Sequence, residues 1–426
     1  MSDNTIVHFQ DAASLAREEQ KINDTGALAV GPSAPGVFKS AAQDFDLLRI
    51  LSMIGHRAAE VGEALATARS MKDGDFESWT REWQSLGERI EKIANNCLSH
   101  GHRVSAREAF LRASSYYLVA FFYLADTDKR KRPLYQRHVA CFDAACPLFE
   151  GVFEPVSIPY EGKSLPGYFI RPDASGKPRP TVILQNGGDG TAAQLYALGG
   201  GAGAISRGYN ALLFDGPGQS GAYLRDSSLL YRPDWEVPIK AVVDFLVARS
   251  EVDASRLALT AYSFGGYLGT RAVAFEKRIS AYVAGCILSD GHQVFTKALG
   301  LGDEFLHGPQ DQPLTDHQTW GIYEVMPRFG YHNGVKDVSA FLERLKAFNL
   351  SGLEDQITCP VLNLSTTSEG WTMYGQSKSF FNKLKNPKNR FVLNGSELGA
   401  EHHCLLGNVS LLEQLQFDWL DEVFGL

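Results

Sequence analysis

The stretch "LALTAYSFGGYLGT", residues 257–270, decides how this chain is read. It opens as an apolar, β-leaning run, reaches Ala261-Tyr262-Ser263-Phe264-Gly265-Gly266, and continues as a helix-like run. A packing serine has no need of small neighbours at a sharp strand-to-helix turn. A nucleophilic serine does, because bulky flanking side chains would clash there. Ala261 and Gly265 meet that need. The pattern is the G-x-S-x-G nucleophile elbow with Ala in its first position.

The surrounding sequence supplies the rest of a sheet. "TVILQ" (181–185), "ALLFD" (211–215), "AYVAGCILSD" (281–290), "PVLNLS" (360–365) and "RFVLN" (390–394) are short apolar runs separated by helical stretches. Strands apolar throughout and alternating with helices predict an α/β fold, with a mostly parallel central sheet and helices on both faces. "FEPVSIPYEGKSLPGYFIRP" (153–172) reads as two further strands around the turn Glu161-Gly162-Lys163. Before them, residues 44–147 repeat apolar positions at three- and four-residue steps and predict a helical domain. Residues 1–43 read as a lead-in, 44–147 as the helical domain, and 148–426 as the catalytic domain. Within the last, 291–356 is longer than a plain crossover and predicts a helical, pocket-lining insertion that carries Trp320 and Tyr323.

Composition narrows the partners. The chain has 426 residues, is 44% hydrophobic and carries a formal net charge of −8. With no basic stripe, nucleic acid is not an expected partner. No run of eighteen or more apolar residues suggests a membrane span, and the N-terminus does not read as a secretory signal. Cys97, Cys141, Cys146, Cys286, Cys359 and Cys404 form no CxxC pair and no zinc spacing, which suits reduced thiols in a cytoplasmic setting. "GGGAGA" (199–204) lies too far past its strand for a dinucleotide fingerprint. No metal or organic cofactor is expected.

An activated serine requires a base, and the base an orienting acid, in the chain order Ser, acid, His. "GSELGAEHHCLLGN" follows the last strand and offers His403, which is preferred, and His402. "CPVLNLSTTSEGWT" places Glu369 four residues beyond Ser365. Asp290, at the end of its own run, is the rival acid. Two backbone N–H groups are candidates for an oxyanion hole: that of Phe264, directly after the serine, and that of Gly188 in "LQNGGDGTAAQ".

With these motifs in view ("AYSFGG", "NGGDG", "FDGPGQSG", the Glu369 strand end and "EHHC"), the chain resembles the α/β-hydrolase superfamily. "HGHRVSAREAFLRASSYYLVAFFYL" (100–124) is similar to the helical-domain signature of one branch. That branch includes fungal hydrolases that shorten naphthopyrone-type polyketides and bacterial dihydroxypseudooxynicotine hydrolase. The resemblance implies Ser263 as nucleophile and the histidine just before Cys404, His403, as base. It commonly carries Asp as the acid, so Glu369 departs from it and Asp290 stays open. It also implies an N-terminal helical cap, a homodimer, and C–C hydrolysis beside a ketone. Aromatics such as Phe110, Tyr116, Tyr117 and Phe121 would then roof the pocket. An ester or lactone hydrolase with the same triad is the alternative, and a ligand-binding pseudoenzyme a remote one.

Overall fold

The apolar runs become strands of a single sheet. The structure, a computed structural model, describes residues 12–22, 32–298, 300–308, 313, 318 and 321–426. Trp320 and the side chain of Tyr323 lie outside that description, as does much of the 1–43 lead-in. The strands are β1 (Val152–Tyr160), β2 (Lys163–Arg171), β3 (Arg179–Gln185), β4 (Asn210–Phe214), β5 (Val252–Tyr262), β6 (Ala281–Gly285), β7 (Val361–Thr366) and β8 (Arg390–Asn394). Their order is β1-β2-β4-β3-β5-β6-β7-β8. β2 runs antiparallel to both β1 and β4, and the remaining pairs are parallel. The β1–β2 hairpin turns at Glu161 and Gly162, with φ of 44° and 75°, the left-handed pair that a tight primed turn demands.

β6 is shorter than its apolar run of 281–290. Cys286 adopts φ 74°, which ends the extended backbone at Gly285.

Alternation along the strands builds two cores. Val182 and Leu184 of β3, Ala211 and Leu213 of β4, and Leu362 and Leu364 of β7 face one side. There they pack in one cluster with Trp79, Tyr116 and Trp419. Ile183, Leu212, Phe214 and Leu259 face the other side, in a cluster with Ile239, Leu268 and Phe341. Both faces are therefore covered, which explains why the strands carry few polar residues.

Ahead of the sheet come helices α1 (Ala12–Glu19), α2 (Ala41–Leu51), α3 (Val61–Arg69), α4 (Phe76–Ser99), α5 (Arg103–Ala120) and α6 (Lys131–Ala145). Asp75 caps α4 by accepting from the Glu77 and Ser78 N–H groups, and Gly101 at φ 78° ends it. α5 is buried throughout its second half, Ala113–Ala120, and its aromatics hold the helical region together. Tyr116 stacks on Trp83 at 5.5 Å, and the Tyr117 ring lies so close to Gly87 that a Cβ there would sit 2.8 Å from it. No helix of the described residues is long and apolar enough to cross a membrane.

Candidate active site

β3 lies between β4 and β5, so the chain leaves its carboxyl end toward one neighbour and returns to the other. Parallel sheets open a crevice at such a reversal, beyond the strand ends. A cavity of about 170 Å³ occupies that place. Its wall includes Ser263, Phe264, His403, Gly187 and Gly188.

Ser263 takes φ 59°, a left-handed conformation that costs a non-glycine residue about 1–3 kcal/mol. Close packing on both sides enforces it. A Cβ on Gly266 would sit 1.7 Å from the Cys286 carbonyl oxygen, and one on Gly265 2.9 Å from that of Asn186. Ser263 directly follows β5 on the cavity wall, and the helix Gly265–Phe275 starts two residues on.

Glu369 follows β7 in a single helical turn and is fully buried. Its Oε2 accepts the Thr366 N–H at 3.2 Å, closing a capping box. Its Oε1 accepts from His403 Nδ1 at 2.8 Å. The longer glutamate side chain thus folds back on its own turn and still reaches the next loop. The Ser368 N–H donates to the Glu401 carbonyl at 3.1 Å, joining the acid turn to the loop that carries the histidines. Burial opposes a charge on His403. The Cys404 thiol and the Glu369 carboxylate beside it outweigh that opposition and raise its pKa well above the usual value.

The neighbouring candidates sit elsewhere. His402 is buried, with Nε2 2.9 Å from Ser33 Oγ and 3.4 Å from Glu401 Oε1. It ties the segment near residue 33 to the loop. Asp290 caps the short turn after β6 by accepting the Gln293 N–H at 2.9 Å, and it also takes the Asn349 amide at 3.4 Å. Glu369, and not Asp290, is the carboxylate bonded to His403.

The Gly188 and Phe264 N–H groups donate to no protein acceptor among the described residues. The Gly187 carbonyl is held from behind by the Tyr231 hydroxyl at 2.9 Å and by Gln219 Nε2 at 3.3 Å. A trans peptide points its N–H opposite to its carbonyl, so the Gly188 N–H is turned away from those two groups. "FDGPGQSG" therefore braces this loop: Gln219 Nε2 also reaches the Asn186 carbonyl at 2.5 Å, and Asp215 Oδ2 accepts the Ala192 N–H at 2.8 Å. Burial pushes the Asp215 carboxyl up to about 7.

The other walls correct one expectation. Phe110, Tyr116, Tyr117 and Phe121 are all buried and do not line the cavity. α2 contributes Phe45 and Arg49 instead. Helix periodicity marks both sets as buried but gives no sign of which set faces a cavity. Val294, Phe295, Val325 and Phe329 of the 291–356 segment form an apolar wall, with the Phe329 ring 4.5 Å from that of Phe264. Among the described residues no cluster of three or more His, Cys, Asp or Glu is placed to hold a metal ion, and all six cysteines are free. Chemically, a serine on a strand-to-helix turn, a carboxylate-paired imidazole and two unpaired N–H donors around one cavity make up the set that acyl transfer needs.

Comparison with known proteins agrees with this architecture. The chain is 31% identical over 428 residues to the 20-hydroxy-prefusarin hydrolase FUS2 of Gibberella moniliformis, covering 92% of this chain and 98% of that one. It is 36% identical over 419 residues to the alpha/beta hydrolase pydG of an Acremonium species, covering 90% and 96%. The crystal structure of 2,6-dihydroxy-pseudo-oxynicotine hydrolase superposes with a TM-score of 0.67 at 20% identity, over 88% of this chain and 96% of that one. No protein-family profile matches the chain.

Proposed function

The chain belongs to the α/β hydrolases, and from that premise we propose that it hydrolyses a C–C bond beside a ketone in a polyketide-like or aromatic substrate, through Ser263, His403 and Glu369. The observation that carries this reading is the shared cavity. Ser263, His403 and Gly188 border one space with apolar walls, and His403 is already paired to Glu369.

Because His403 Nδ1 is engaged by Glu369, its Nε2 is the atom left to take the Ser263 proton. Oγ then bonds to the substrate carbonyl carbon, and the carbonyl electrons move onto oxygen. The Phe264 and Gly188 N–H groups hold that oxyanion. As it collapses, the C–C bond breaks and its electron pair leaves as an enolate, which takes the proton from His403. Water, deprotonated by His403, attacks the acyl-enzyme. The products are a carboxylic acid and a ketone, with Ser263 restored.

A carbon leaving group must be protonated in place, which favours a shielded site. Residues 44–147 would supply that shield as a cap, with Phe45 and Arg49 of α2 already on the cavity wall. The relative named 20-hydroxy-prefusarin hydrolase supports small-molecule hydrolysis as the reaction class. The test is a matched pair, an aryl β-diketone and the corresponding aryl ester, with products identified by mass. Acid plus methyl ketone from the diketone is the expected outcome. Ester turnover with no diketone cleavage across a varied panel would sink the C–C reading and leave ester or lactone hydrolysis.

A further inference from the structure

We propose that Arg49 and Asp189 form a latch by which the helical region sets the oxyanion loop, making Arg49 a positioning residue for the reaction. The proposal rests on the reading of Gly188 as an oxyanion donor.

Asp189 directly follows Gly188. Arg49 Nη2 lies 2.7 Å from Asp189 Oδ2. On its other side, Arg49 Nε forms an ion pair with Asp46 Oδ1 at 3.1 Å, one turn back on α2. Asp46 is itself fixed by the Tyr123 hydroxyl at 2.9 Å, from the turn after α5. The guanidinium also lies 5.0 Å from the Phe122 ring centroid and 5.7 Å from that of Phe45. Arg49 is therefore held on two sides before it reaches the loop, and a planar fork with separate nitrogens suits such bridging better than a single ammonium.

An alternative role for a cation on a cavity wall is to receive an anionic substrate group. The charges speak against it. Its guanidinium already lies against two carboxylates, Asp189 at 2.7 Å and Asp46 at 3.1 Å. That engagement suits a tie between elements better than an anion receptor.

The geometry gives the latch a catalytic meaning. Tyr231 and Gln219 hold the Gly187 carbonyl from the sheet side. Arg49 holds Asp189 from the helical side. The Gly188 N–H is strung between these two anchors. Release of one lets the donor drift, and a misplacement of about 1 Å can cost on the order of 10²-fold in rate.

The experiment is phosphonylation of the full chain by a fluorophosphonate, read by mass at Ser263, with its maximal rate separated from its half-saturating concentration. Arg49→Met removes the cation beside the buried Asp46 carboxylate and is expected to cost stability, so the deciding variant is Asp189→Asn, which sits at the rim. Asp189→Asn is expected to lower the maximal labelling rate by about tenfold or more, with the half-saturating concentration and the thermal midpoint near wild type. Arg49→Lys should fall between, and combining it with Asp189→Asn should lose no more than Asp189→Asn alone. Labelling of Asp189→Asn at the wild-type rate overturns the latch. A wild-type chain that is never labelled at Ser263 overturns the hydrolase chemistry beneath it, which is a separate and visible failure.

Discussion

His403 Nδ1 and Glu369 Oε1 meet at 2.8 Å across loops 34 residues apart, with the carboxylate wholly buried and the imidazole at the cavity edge. The pairing gives Glu369 a definite task in the proposed mechanism. Glu369→Gln keeps the side-chain volume but removes the charge that orients and stabilises the imidazolium, so turnover should fall on the order of 10³-fold or more. Asp290→Asn should leave turnover within about threefold and cost about 1 kcal/mol at most, the scale of a helix cap. Steady-state rates and thermal melts of both variants decide this, and greater damage from Asp290→Asn would overturn the assignment.

The histidines should separate in the same way. His403→Ala removes the proposed base and should abolish turnover while the chain folds. His402→Ala breaks the contact with Ser33 and Glu401, so it should cost about 1–3 kcal/mol of stability and keep most of the turnover. Denaturant midpoints alongside kcat distinguish the two outcomes.

The raised pKa of His403 predicts the acid limb of the pH profile. In the proposed mechanism the neutral ring is the form that accepts a proton from Ser263, so kcat/KM should fall as pH drops through a midpoint above about 6.5. Glu369→Gln should move that midpoint down, because the carboxylate that favours the cation is gone. The same shift stabilises the fold. The folded chain binds this proton more tightly than the unfolded one, so the contribution is complete below about pH 6.5 and fades as pH rises through the folded value. Titration of the His403 ring by NMR checks both signs.

Ser263→Ala should lower turnover by about 10³-fold or more with the fold retained. Wild-type rates in that variant would end the serine mechanism.

Gly187 offers a steric test of the same site. A Cβ there would lie 2.5 Å from Ser263 Cβ and 2.8 Å from both the Phe264 nitrogen and the Tyr262 oxygen. Backbone cannot yield as a flexible side chain can. Gly187→Ala should therefore displace the elbow and lose both turnover and thermal stability, whereas Gly162→Ala, with nothing within 4 Å but φ 75°, should lose stability alone. Turnover in Gly187→Ala equal to that of Gly162→Ala would refute the steric reading.

By itself, the sequence determined the features that repeat locally. The apolar runs at 181–185, 211–215 and 390–394 marked strands because a sheet covered on both faces favours apolar side chains. The small residues around Ser263 marked the elbow because the turn tolerates nothing larger. The end of α4 was legible in His100-Gly101, since only a glycine accepts that φ cheaply. Tertiary structure alone decided what depends on direction. His402 and His403 are adjacent, yet one ring turns to Ser33 and the other to Glu369, and Cys404 and Leu405, at φ 61° and 56°, bend the chain just beyond them. Asp290 and Glu369 both follow strands, and only the Cys286 kink that ends β6 early and the capping turn after β7 separate their roles. Phe45 and Arg49 reach the cavity, while the aromatics of α5 stay inside their own helical layer. Periodicity states that a helix face is buried; what it is buried against depends on where the neighbouring elements pack, which no local pattern encodes.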